Sequence, residues 1–180
     1  MTKLKQIQNP SVLRTAPLDE GELFKNLDKK MEKILEILRK RNWTIGIMES
    51  CTGGAMSNAV TNIPGASDVF KEGKMTYCDE AKIKAGVNGK IIEKFGVYSI
   101  ETAEEMSRKI DGEVGVGITG NLPGEVWVAV RIDKKIESVT LKVESRNKNK
   151  IEARKEMKEM VVEKVIEMIT TGLVNDKMKL

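Results

Sequence analysis

The sequence predicts an α/β fold, a three-layer α/β/α arrangement around a central mixed sheet, on three observations. Strand and helix patterns alternate through the early part of the chain, three strand patterns follow one another later, and a long apolar stripe at helical spacing closes the chain. Residues 1–20, with Pro10 and Pro17 and no sustained period, read as a flexible lead-in that carries little of the core. The domain is expected at 21–172 and a tail at 173–180. Leu27, Met31, Ile34 and Leu38 recur at three and four residues among Lys, Glu and Asp, one face of a helix ending near Arg41. Trp43, Ile45 and Ile47 alternate with Thr44 and Gly46 as a short strand that runs into Glu49-Ser50-Cys51-Thr52-Gly53-Gly54, after which 55–63 is helical.

The β-branched and aromatic content of residues 69–77 predicts a second strand, and the helix formers of 79–84 a helix broken by Gly86-Val87-Asn88-Gly89. Further helices are expected over 90–95 and 100–110, the latter with Ser99 as N-cap and Glu101, Glu104 and Glu105 near its positive end. Val114, Val116 and Ile118 alternate with glycines, Val126-Trp127-Val128-Ala129-Val130 is apolar on both faces, and 136–143 alternates with polar residues like an edge strand. Met157, Val161, Val165, Met168 and Ile169 mark a closing helix over 151–171. In such a sheet ligands bind where strands end and helices begin, which directs attention to Ser50 and to Thr119-Gly120.

Composition narrows the chemistry. The 180 residues contain 31 Lys+Arg, 27 Asp+Glu and no histidine, for a formal charge of +4. Without an imidazole, Ser-His-Asp and Cys-His machinery is excluded, and proton transfer falls to Lys, Tyr, Asp or Glu. Cys51 and Cys78 stand apart with no metal-ligand spacing, so neither a disulfide scaffold, a zinc site nor any metal is expected. Lys and Glu are interspersed along the helical stretches, which favours a solvated surface over nucleic-acid binding. No long apolar run and no secretory h-region is present, which predicts a cytoplasmic protein without membrane contact.

Ser50 follows a buried strand and precedes a helix, a good position for a nucleophile near unpaired N–H donors of a helix N-terminus. The plainer alternative is that Ser50 or Thr52 caps the helix and the glycines only make the turn. Thr-Gly-Gly lacks the spacing of a nucleotide-triphosphate P-loop. Tyr77 and Lys82, five apart across a strand end and a helix start, can face the same mouth of the sheet. Lys82 is a base only if burial or a nearby cation lowers its pKa, and is otherwise one solvated lysine among many. Cys51 is an alternative nucleophile or a small buried apolar residue. Thr119-Gly120-Asn121 is either a holder of a carbonyl or phosphate or a polar turn. Arg146, Lys148, Lys150 and Arg154 cluster where the helix dipole does not favour cations, fitting a bound phosphate or a solvated charge run.

Taken in series, Glu49-Ser50-Cys51-Thr52-Gly53-Gly54, Pro64-Gly65-Ala66-Ser67, and Thr76-Tyr77-Cys78-Asp79-Glu80-Ala81-Lys82 resemble the CinA C-terminal domain family, the nicotinamide-nucleotide amidases. Gly96-Val97-Tyr98-Ser99, Gly117-Ile118-Thr119-Gly120 and Val126-Trp127-Val128-Ala129 are similar to its later blocks, so the likeness spans about residues 22–171. The resemblance implies an α/β/α amidohydrolase that converts nicotinamide mononucleotide to nicotinate mononucleotide and ammonia, a homo-oligomer in the pyridine nucleotide cycle that needs no cofactor. It implies Ser50 as nucleophile, Lys82 as base and Tyr77 as a supporting group. Glu49, Thr52, Gly53, Gly54, Thr119 and Gly120 would line the substrate. Thr119 and the Gly53-Gly54 turn would polarise the amide carbonyl, and Arg146, Lys150 or Arg154 would hold the 5′-phosphate.

Two departures stand out. Only Asn121-Leu122-Pro123-Gly124-Glu125 separates Thr119-Gly120 from the Val-Trp strand, where the family has a longer Gly/Pro-rich loop. This leaves open a second expectation, a catalytically weakened nucleotide-binding or interaction protein. The other departure is the lead-in over 1–20, in a chain too short for the separate N-terminal domain of full-length CinA proteins and therefore expected to stand alone.

Overall fold

The computed structural model describes the backbone of residues 11–14 and 20–177, with side chains from 27 to 176. In chain order the elements are β1 (Ser11–Arg14), α1 (Glu20–Arg41), β2 (Ile45–Glu49), α2 (Ala55–Thr61), β3 (Phe70–Met75) and α3 (Asp79–Lys84). There follow α4 (Gly89–Phe95), α5 (Ile100–Lys109), β4 (Val114–Gly120), β5 (Gly124–Ile132), β6 (Lys135–Glu144) and α6 (Lys150–Lys177). The strands form one mixed sheet in the order β1-β6-β5-β4-β2-β3. The β1/β6, β2/β3 and β2/β4 pairs are parallel, and β4/β5 and β5/β6 are antiparallel. Helices cover both faces, the three-layer α/β/α architecture that the interleaved patterns predict.

Alternation along the strands decides which helix each face receives. Ile45 and Ile47 of β2, Val116 and Ile118 of β4 and Val126 and Val128 of β5 point to one face, where α1 contributes Met31, Ile34 and Leu38 and α6 contributes Val161, Val165 and Ile169. The other face carries a smaller cluster of Met48, Val87, Met106 and Ile110 under α3, α4 and α5. Here glycines take the place of apolar side chains and let α5 lie close against the strands. A Cβ at Gly117 would stand 2.0 Å from the Ala103 carbonyl oxygen. Gly117→Ala is therefore expected to force α5 off the sheet and lower stability by at least about 1–3 kcal/mol in urea titration. Ser99 caps α5 as anticipated, its hydroxyl accepting from the Thr102 N–H at 3.2 Å.

Three boundaries differ from the sequence expectation. Ser11–Arg14, inside the lead-in, pairs with residues 141–144 of β6, so β6 is an edge only over its first half, 135–140. The remainder of the lead-in, 1–10 and 15–19, lies outside the described residues. The closing helix continues through Lys177 instead of stopping near Thr171, because Leu173 is buried in the core and Asp176 accepts from Arg41 at 3.1 Å. Residues 173–177 are therefore helix, and 178–180 of the expected tail lie outside the described residues. Among the described residues no helix is long and apolar enough to cross a membrane.

Because β2, β3 and β4 are parallel, their C-terminal ends reach one edge of the sheet together. Ser50 leaves β2 there, Thr76 and Tyr77 leave β3, and Thr119 and Gly120 end β4. Ser50 and the turn after β3 are next to each other for this reason, although they are far apart in the chain.

Candidate active site

The turn after β2 is fixed by backbone bonds. The Ser50 N–H donates to the Ile118 carbonyl at 3.0 Å, and the Gly53 N–H donates to the Ser50 carbonyl at 2.9 Å. Gly53 and Gly54 have φ of 60° and 95°, the left-handed region that glycine enters without strain. The first turn of α2 is capped from an unexpected direction. The Glu49 carboxyl group, 1% exposed, accepts from Thr52 Oγ1 and Ser57 Oγ at 2.6 Å each and from the N–H groups of Met56 at 3.2 Å and Ser57 at 3.0 Å.

Two consequences follow for the sequence reading. Ser50 does not cap the helix, because Glu49 does so from the last position of β2. Nor do the Met56 and Ser57 N–H groups remain for an oxyanion, because Glu49 occupies them. Glu49 and Thr52, expected to line the substrate, are turned inward and hold the turn that carries Ser50.

Lys82 is the largest fully buried side chain, 1% exposed. It lies on α3, and its Nζ is 3.2 Å from Ser50 Oγ and donates to the Thr76 carbonyl at 2.8 Å. Burial lowers its pKa below the usual lysine value, and the partial opposing pull comes from Asp79, Cys78 and Cys51. The solvated-lysine alternative therefore does not apply. Ser50 is 5% exposed, so the pair sits at a nearly closed edge of the sheet. Thr76 Oγ1 beside it is buried without a hydrogen-bond partner among the described residues.

The other candidates divide in two. Tyr77 is 62% exposed and its hydroxyl accepts from Arg154 Nη2 at 3.1 Å, which joins the β3–α3 linker to α6 across the mouth. Arg154 Nη1 also donates to the Leu122 carbonyl, in the three-residue turn between β4 and β5. Arg146 is exposed on the loop before α6. Thr119 is fully buried and its hydroxyl donates to the Val97 carbonyl at 3.0 Å, so it fastens the β4 end to the segment before α5. Gly120, with φ of 152°, has no room for a Cβ, which would lie 2.5 Å from the Glu125 carbonyl oxygen. The Cys51 thiol is pushed up to about 11, chiefly by burial, which favours its packing role over that of a nucleophile.

Sequence reasoning missed two residues here. Glu49 supports the Ser50 turn, which its place at a strand end does not announce, and Lys158 lies beside Gly53. Lys158 is half-buried on α6, and its Nζ would be 3.1 Å from a Cβ at Gly53. The signal available for Lys158 was its position four residues after Arg154, on the same helix face.

Comparison with known proteins relates the chain to a family. The CinA C-terminal domain model matches residues 27–171. A putative competence-damage inducible protein of Alkaliphilus oremlandii is 44% identical over 99 residues, 52% of this chain and 24% of that protein. A CinA-like protein of Chloroherpeton thalassium is 42% identical over 106 residues, 56% of this chain and 25% of that protein. The chain thus spans about a quarter of the length of these curated relatives. Among solved structures, the competence damage-inducible protein A of Klebsiella pneumoniae superposes with a TM-score of 0.74 at 18% identity, covering 82% of this chain and 97% of that one. A CinA superfamily protein of Enterobacter cloacae gives 0.74 at 20% identity, over 96% and 98%. With the matched segment extending from α1 to α6 and including both Ser50 and Lys82, the chain belongs to the CinA C-terminal domain family.

Proposed function

We propose that this protein is an amidohydrolase acting on nicotinamide mononucleotide, with Ser50 as nucleophile and Lys82 as general base. The observation that carries the reading is the buried Lys82 Nζ at 3.2 Å from Ser50 Oγ, the outer limit of the ~2.6–3.2 Å reach a base requires. Lysine takes a proton only as the neutral amine, and burial favours that form. Neutral Lys82 accepts the Oγ proton as Ser50 attacks the carboxamide carbon. The resulting ammonium returns that proton to the departing nitrogen, and ammonia leaves as the C–N bond breaks. Water, deprotonated by the same amine, then cleaves the acyl ester and regenerates Ser50 with release of the carboxylate product.

Ammonia release from nicotinamide mononucleotide by the purified protein, beside Ser50→Ala, tests this. Release by the wild type that falls on the order of 10³-fold or more in the variant is expected. Equal release by both would overturn it. A second reading, nucleotide binding without turnover, is favoured by the short three-residue turn between β4 and β5 whose Leu122 carbonyl engages Arg154. Nucleotide binding by a folded wild type that releases no ammonia would select that reading.

A further inference from the structure

We propose that Lys158 holds the anionic group of the substrate, a phosphomonoester, and determines the preference for phosphorylated over unphosphorylated amides. The inference rests on the amidase reading of the site and departs from the expectation that Arg146, Lys150 or Arg154 holds the phosphate. Two cations of α6 approach the turn that carries Ser50, Arg154 and, one helical turn later, Lys158. Arg154 is engaged at both terminal nitrogens, one on the Leu122 carbonyl of the short turn and the other on the Tyr77 hydroxyl. It serves as a strut between the β3–α3 linker and the turn after β4.

Lys158 has no such engagement. It makes no hydrogen bond or ion pair among the described residues. The positions that face it on its own helix, three and four residues away, are Arg154, Lys155, Val161 and Val162, none of them acidic. Its Nζ lies against Gly53, where even a methyl group would come to 3.1 Å. Lys158 therefore has no counter-charge among the described residues, and an anion arriving beside the Ser50 turn would supply one. Arg146 and Lys150 are exposed, where water already solvates them.

Two measurements test this, and only one depends on the amidase reading. Inorganic phosphate is titrated into wild type, Lys158→Gln and Arg146→Gln, with binding followed by NMR shifts. Affinity is expected to fall about 10- to 100-fold in Lys158→Gln, the weight of one charge-assisted hydrogen bond, and to stay unchanged in Arg146→Gln. Absent binding by the wild type, or equal binding by wild type and Lys158→Gln, would overturn the proposal whatever the enzyme hydrolyses. The second measurement compares amidase kinetics on nicotinamide mononucleotide and nicotinamide riboside, which lacks the phosphate. Lys158→Gln should raise KM about 10-fold or more for the first with kcat nearly unchanged, and leave the second as in the wild type. Equal losses on both substrates would also overturn it. Absence of hydrolysis by the wild type would sink the amidase reading while the phosphate titration still decided the role of Lys158.

Discussion

Lys82→Met is expected to reduce ammonia release by about 10²- to 10⁴-fold, the range that loss of a positioned general base produces. Methionine fills a similar volume among the same neighbours but cannot accept a proton, so the fold should survive while turnover does not. The pH dependence separates this role from a structural one. Wild-type kcat/KM should climb along one ascending limb as Lys82 loses its proton, with no imidazole limb because the chain has no histidine. Stability moves with the same proton. The folded-state pKa of Lys82 lies below the usual 10.5, so between the two values the unfolded chain binds more protons than the native one. Wild-type stability relative to Lys82→Met must therefore rise with pH in that window, be fully present above 10.5 and be lost as pH falls through the folded value. Urea titrations of both proteins at pH 7 and near 10 measure the difference. Wild-type stability that does not rise relative to Lys82→Met between the two pH values would contradict a lysine carried at depressed pKa.

Why the sequence brings out the Ser50–Lys82 pair but not its supports is a matter of range. The strand before Ser50 announces itself through alternation, and the helix carrying Lys82 through a run of helix formers. A parallel sheet then brings strand ends to one edge, so the proximity of Ser50 and Lys82 follows from topology. The burial of Lys82 does not follow, because it depends on how α3 docks so that Nζ reaches the Thr76 carbonyl and Ser50 Oγ. Glu49 is harder still. A carboxylate at the end of an apolar strand reads as a group facing a ligand, and only in the folded chain do four donors close on it. The β1 pairing has a similar cause, since Ser11–Arg14 has no alternation of its own and gains regular structure only along β6. Lys158 was hidden because a lysine in a Lys/Glu-rich helix carries no local mark, and its meaning comes from the glycine opposite.

Replacing Glu49 by Gln should cost stability and activity together. The two oxygens of the carboxyl group accept four hydrogen bonds, two from backbone N–H groups of α2 and two from the Thr52 and Ser57 hydroxyls. Glutamine presents an NH₂ in place of one oxygen, and whichever way it turns, that NH₂ meets a backbone N–H. A hydroxyl can rotate to accept instead, but the N–H of Met56 or Ser57 cannot, and the site is too buried for water to replace the lost acceptor. One buried unsatisfied donor costs about 1–3 kcal/mol, and a group lost from a connected network tends toward the upper end. The loss falls on the first turn of α2, which holds the Ser50–Gly54 turn in place, so Ser50 shifts relative to Lys82. A misplacement on the order of 1 Å costs roughly 100-fold in rate. Glu49→Gln should therefore unfold at lower urea and lower kcat while leaving the Lys158-dependent phosphate affinity measurable. Full activity with wild-type stability in this variant would mean that the four bonds to Glu49 do not hold the nucleophile in place.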